Sequence, residues 1–140
     1  MAPATQLNRP LRILIVEDSK VDVNLLLYVL RSAGYQVEYD LVQPAPAMRA
    51  ALERQPWDLI TSDHKMPQFS APQAVELAKE LRSDVPIIIV SGEADPDLAM
   101  SLKSAGAQDY VLKMEMFDKL VSVIELVLQD KGLGDGRQSA

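Results

Sequence analysis

Adjacent carboxylates at Glu17-Asp18, another at Asp63, a hydroxyl at Ser91 and an ammonium at Lys113 are the side chains of this sequence best suited to do chemistry together. Carboxylates brought close repel one another and resist ionisation unless a cation neutralises them. An oxygen-only donor set, without His or Cys, suits Mg2+, which keeps several waters and is commonly shared with a phosphate. A carboxylate is also a competent nucleophile toward phosphorus and yields an aspartyl phosphate. Metal and Lys113 would then offset charge on the equatorial phosphoryl oxygens.

Whether these residues meet depends on the elements that carry them. Apolar runs of strand length recur at Leu11 to Val16, Val37 to Val42, Trp57 to Ser62, Ile87 to Val90 and Ala107 to Leu112, each followed by helical spacing. Three runs, Ile13 to Val16, Leu59-Ile60 and Ile87 to Val90, are apolar on consecutive positions, as strands buried on both faces must be. The pattern predicts an α/β fold, a doubly wound five-stranded parallel sheet with helices on both faces. Ligands of such sheets bind beyond the carboxyl ends of the strands, which is where Glu17-Asp18, Asp63, Ser91-Gly92 and Lys113 stand.

Helix starts are signposted by hydrogen-bond acceptors. Ser19 precedes a helix over Lys20 to Ala33 closed by Gly34, Ser70 with Gln73 makes a capping box before a helix to Ser83, and Asp95-Pro96 opens one ending near Gly106. Pro44 and Pro46 predict a late or irregular second helix. The last helix, Met116 to Asp130, carries Phe117, Leu120, Val121, Ile124 and Leu128 on one stripe and Met116, Val123 and Leu126 on another. Either it is tucked deeply at the sheet edge, or its second stripe is a homodimer or effector contact.

The 140 residues fit one domain: an N-terminal extension at 1–10, a folded unit at 11–130 and a flexible tail or linker stump at 131–140. Fourteen Lys plus Arg stand against 20 Asp plus Glu, so the average surface repels nucleic acid. No cysteine is present, which removes disulfides and thiolate metal sites and predicts a cytoplasmic setting. No apolar run approaches the ~20 residues needed to cross a bilayer, and no signal pattern opens the chain.

Over Leu11 to Asp130 the pattern resembles the receiver domain of bacterial response regulators. The matching features are Glu17-Asp18 after an apolar strand, Asp63 followed by Met66-Pro67, Ser91-Gly92 after the fourth strand, and Tyr110 three residues before Lys113. The resemblance implies the flavodoxin-like strand order 2-1-3-4-5. It implies that Asp63 is the phosphoacceptor. Asp18 and Asp63 would ligate Mg2+ directly, Glu17 mainly through water, and the backbone carbonyl of Lys65 would complete the protein's share. Lys113 would pair with the phosphoryl group, Ser91 would move to bond it, and Tyr110 would turn into the vacated space, a two-state element. The partner implied is a histidine kinase or a phosphotransfer protein. Such a chain is not an enzyme in the turnover sense, catalysing only its own aspartyl phosphorylation and dephosphorylation.

The chain departs from the family in places. Met114 stands where a cis-proline usually follows the lysine; a cis bond there would cost about 3 kcal/mol, so a trans bond is expected. Gln68-Phe69-Ser70-Ala71-Pro72 replaces the usual Gly-containing turn and should re-route the loop toward the third helix. Lys65 and Glu93 resemble the variable pair that tunes phosphoryl lifetime, and could meet as an ion pair or stand as solvated charges.

Each residue also has a plainer reading. Glu17-Asp18 could complement a helix dipole, Asp63 could be a turn residue, and Tyr110 a strand aromatic. His64, next to Asp63, is expected on the opposite face, packed or partly exposed. Tyr28, Tyr35, Tyr39 and Trp57 read as packing residues.

The residues also bear on rival functions. A degenerate receiver acting as a non-phosphorylated interaction module keeps the fold without the chemistry. An aspartyl-phosphate phosphohydrolase would need a second Asp where Lys65 stands. A serine hydrolase would need a base and a Gly-x-Ser-x-Gly elbow. A flavin domain would need a phosphate loop in place of Glu17-Asp18-Ser19-Lys20.

Overall fold

The computed structural model describes residues 9–66 and 68–130. Five parallel strands form the sheet: β1 (Leu11–Val16), β2 (Val37–Val42), β3 (Leu59–Asp63), β4 (Ile87–Ser91) and β5 (Asp109–Leu112). Their order is β2-β1-β3-β4-β5, so the strand order reverses between β1 and β3. Register places Val16 opposite Ser62 and Asp63 opposite Val90. The carboxyl ends of β1, β3 and β4 therefore share one edge, the crevice in which such folds bind ligands.

Helices α1 (Lys20–Ser32), α2 (Ala45–Arg54), α3 (Ala71–Leu81), α4 (Pro96–Ala105) and α5 (Val121–Asp130) alternate with the strands. Side chains of β1 divide by twos, as the pleat requires. Leu11, Ile13 and Ile15 pack with Leu26, Leu27 and Leu30 of α1 and with Leu120 and Ile124. Leu14 and Val16 face Met48 and Leu52 of α2 and Val75 and Ala78 of α3. Both faces are covered, which is why the strands needed consecutive apolar residues.

The helix ends follow their cues. Ser19 Oγ accepts from the Asp22 N–H at 3.3 Å, and Asp95 Oδ1 from the Leu98 N–H at 3.0 Å. Gln73 Oε1 reaches back to the Ser70 N–H at 2.9 Å. Gly106 closes α4 at φ 122°, a backbone region open mainly to glycine. α2 starts after Pro44 without a side-chain cap. Between β3 and α3, Lys65–Met66 pairs antiparallel with Phe69–Ser70, and Gln68 takes φ 67° in the turn. This small hairpin leads into α3.

The last helix departs from expectation. Lys113–Glu115 forms a 3-10 turn, Met116–Leu120 a wide π turn, and the regular α-helix begins only at Val121. The wide turn changes the helical phase, so Met116 is buried and Phe117, expected on the core stripe, is 58% exposed. Leu120, Ile124 and Leu128 are buried as expected, and Leu126 is exposed. Two of the four presumed packing aromatics are also surface residues: Tyr35 and Trp57 are buried, whereas Tyr28 and Tyr39 are exposed. The Tyr28 ring lies edge-on to Phe117, centroids 6.0 Å apart.

At the opposite edge of the sheet, buried Asp58 accepts from Arg9 Nη1 and Nη2 at 2.6 and 2.7 Å and from the Arg12 N–H at 2.9 Å. No helix among the described residues is long and apolar enough to cross a membrane. Expectations about residues 1–8 and 131–140 lie outside the described residues.

Candidate functional site

β1 hands its chain to Glu17 and Asp18 at the crevice. The Glu17 N–H donates to the Val42 carbonyl at 3.0 Å, stitching this turn to β2, and Glu17 Oε2 accepts from the Ser19 N–H at 3.2 Å. Glu17 is thereby folded inward and buried, while Asp18 stays exposed. β3 brings Asp63 to the same edge. Carboxylate oxygens of Glu17, Asp18 and Asp63 all lie within 4.8 Å of one another. The sequence separation of these groups disappears because β1 and β3 are hydrogen-bonded neighbours.

Lys113 enters from the end of β5. Its Nζ stands 3.2 Å from Glu17 Oε1, 3.2 Å from Asp63 Oδ1 and 2.5 Å from Asp22 Oδ2. The peptide bond to Met114 is trans, as expected without proline, and the ammonium still reaches the carboxylates. Burial works against the Lys113 charge, but the bond to Asp22 and the fields of Glu17 and Asp63 outweigh it, and its pKa rises. Burial, then repulsion from Asp63, push Glu17 up to about 7 against the opposing pull of Lys113.

β4 ends at Ser91, which is fully buried. Its hydroxyl donates to the Glu93 carbonyl at 3.1 Å and accepts from the Glu93 N–H at 3.0 Å. The Tyr110 hydroxyl donates to that same carbonyl at 2.8 Å. His64, expected on the face opposite Asp63 and packed or partly exposed, is partly buried, and its Nδ1 lies 3.4 Å from Ser91 Oγ and 3.9 Å from Glu93 Oε1. Alternation along β3 and β4 puts His64 and Ser91 on the face of Ile60, Ile87 and Ile89, away from Asp63. The His64 N–H donates to Asp63 Oδ1 at 2.8 Å. The Lys65 side chain lies outside the described residues, and Glu93 is exposed.

Sequence reasoning missed Asp22. A carboxylate in the first turn of a helix reads as a complement to the helix dipole, and nothing local ties it to Lys113. The expected groups otherwise converge: Glu17, Asp18, Asp63 and Lys113 form one cluster, and Ser91 and Tyr110 meet at Glu93. The clustered donors are all carboxylate oxygens, a set that fits a hard divalent cation and not a soft or thiolate-bound metal.

The family pattern described as response regulator receiver domain matches residues 13–125. The chain belongs to the response regulator receiver domain family. This receiver domain is 31% identical over 121 residues to the transcriptional regulatory protein PrrA of Mycobacterium tuberculosis, covering 86% of the present chain and 51% of PrrA. It is 33% identical over 129 residues to the phosphate regulon transcriptional regulatory protein PhoB of Pseudomonas aeruginosa, covering 88% and 54%. The chain thus spans about half the length of these relatives. Among solved structures, a chain of the CheX-CheY-BeF3-Mg2+ complex from Borrelia burgdorferi superimposes with a TM-score of 0.81 at 19% identity, covering 91% of this receiver and 98% of that chain, a likeness of fold. Receiver domains are the signalling switches of two-component response regulators, and this chain is a domain of that class.

Proposed function

We propose that this receiver domain takes a phosphoryl group from a histidine kinase or a phosphotransfer protein onto Asp63, with Mg2+ held by Glu17, Asp18, Asp63 and the backbone carbonyl of Lys65. The observation that carries the reading is the convergence of three carboxylates within 4.8 Å with an ammonium 3.2 Å from Asp63. An Asp63 carboxylate oxygen attacks phosphorus, the P–N bond of a donor phosphohistidine breaks, and its electron pair leaves with the imidazole. Bound Mg2+ supplies positive charge for the phosphoryl oxygens and relieves the crowding of the carboxylates. Lys113 neutralises a further phosphoryl oxygen from the side of α1.

Ser91 and Tyr110 act as the switch. To bond a phosphoryl oxygen, the Ser91 hydroxyl must leave the Glu93 carbonyl, which Tyr110 also holds. Their shared acceptor supports reading the two as one two-state element. Output passes by protein contact through the face of α4, β5 and α5, where Met100 and Leu126 are exposed, and this face is the place for a homodimer or an effector. The test is incubation with acetyl phosphate and Mg2+, read by intact mass. An adduct on the native chain that disappears in Asp63→Asn is expected. No adduct on the native chain would leave a non-phosphorylated interaction module, and sustained phosphate release over many turnovers would point to a hydrolase.

A further inference from the structure

We propose that Asp22 is a positioning residue that holds the Lys113 ammonium at the phosphorylation site on an anchor separate from the metal and the phosphoryl group. The inference rests on Asp63 as phosphoacceptor and assigns a part to a residue outside the cluster of Glu17, Asp18 and Asp63.

Three carboxylates surround Lys113 Nζ, and Asp22 is the nearest, at 2.5 Å against 3.2 Å for both Glu17 and Asp63. The latter two have other duties. A carboxylate that ligates a cation, or that carries a phosphoryl group on one oxygen, gives up part of its attraction for an ammonium. Asp22 does neither.

Its backbone is also well fixed. It lies in the first turn of α1, its N–H donates to Ser19 Oγ, and the neighbouring Val23, Leu26 and Leu27 are buried in the core. The backbone of Lys113 lies in no regular α-helix. Lys113 begins a one-turn 3-10 segment, the next residue is 84% exposed, and five single bonds separate its ammonium from its Cα. Packing of the stem brings the charge into the cleft, and what binds its tip aims it. Asp22, 91 residues away in sequence, supplies that restraint from a packed helix.

The opposite role is also chemically sensible: Asp22 could withhold the ammonium from the phosphoryl group. The experiment separates the two with Asp22→Ala, Asp22→Asn, Lys113→Ala and the double variant Asp22→Ala/Lys113→Ala. In metal-free protein, the Lys113 side-chain ammonium is followed by nitrogen-15 NMR, which detects it when exchange with water is slow. The resonance is expected in the native protein, weakened in Asp22→Asn, whose amide oxygen still accepts, and lost in Asp22→Ala. With acetyl phosphate and Mg2+, the phosphorylation rate is expected to fall about tenfold in Asp22→Ala, since misplacing a catalytic group by ~1 Å has effects of that order or more. It should fall less in Asp22→Asn, and no further when Asp22→Ala is added to Lys113→Ala.

A faster rate in Asp22→Ala, an unchanged lysine resonance, or a loss that simply multiplies in the double variant would each overturn the proposal. A helix-stability effect alone would multiply in this way, and circular dichroism of each variant checks the fold. If the native chain takes up no phosphoryl group, the phosphoacceptor reading fails, while the NMR measurement still decides whether Asp22 holds Lys113.

Discussion

Replacing Lys113 by Ala removes the only ammonium of the carboxylate cluster among the described residues and leaves Glu17, Asp22 and Asp63 facing one another. At 3.2 Å and an effective dielectric of ~20, each ammonium–carboxylate attraction is roughly 5 kcal/mol before desolvation is subtracted. Burying the lysine cancels much of that sum, and orphaning one side of a buried pair costs about 3–5 kcal/mol. Asp18 opens the group to water on one side, so the lower end applies, about 3 kcal/mol. For a domain of this size a urea slope of roughly 2 kcal/mol per molar turns that loss into a midpoint lowered by about 1–2 M. Trp57, buried with its Nε1 donating to the Ala51 carbonyl at 2.9 Å, supplies the fluorescence signal for unfolding. Mg2+ should restore most of the loss, because a divalent cation neutralises the same carboxylates. A metal-free midpoint within about 0.3 M of the native protein would mean that the carboxylates are not coupled as their distances require. An equal loss with saturating Mg2+ would place the stabilisation elsewhere than in charge neutralisation.

Asp58→Ala should cost about 2 kcal/mol in urea unfolding, since it strips the acceptor from Arg9 and from the Arg12 N–H at a buried position. Gly106→Ala should lower stability by about 1–3 kcal/mol in thermal unfolding, because φ 122° is strained for any side chain and the new Cβ would lie 2.7 Å from the Lys79 stem. Burial, then the charge of Glu125, push the Tyr35 phenol up to about 12, so a difference absorbance titration against Tyr35→Phe should show its phenolate only near that pH. The raised value makes the neutral phenol a stabilising form: the contribution is whole below the ordinary value of about 10 and is lost as pH rises through about 12, so the native protein should lose stability across that window faster than Tyr35→Phe.

Much of the fold was legible because it rests on local and periodic cues. Consecutive apolar, mostly β-branched residues at Ile13 to Val16 and Ile87 to Val90 suit strands covered on both faces, and Ser19, Ser70 and Asp95 mark helix starts where they are found. The site was legible for a related reason: in a parallel sheet every strand points its carboxyl end to the same edge, so Glu17-Asp18, Asp63, Ser91 and Lys113 are gathered once the strands are recognised. Phe117 escaped because a π turn, a matter of how the segment packs after β5, shifts the helical phase on which the stripe depends. The contact of His64 with Ser91 escaped because it joins two strands, although alternation gave the face of His64. Asp22 escaped most completely. Residue types and spacing decided which groups stand at the strand ends, whereas the docking of α1 against the sheet decided that this helix carboxylate meets Lys113, since a contact between charges on separate elements depends on their relative placement and leaves no period or motif in the chain.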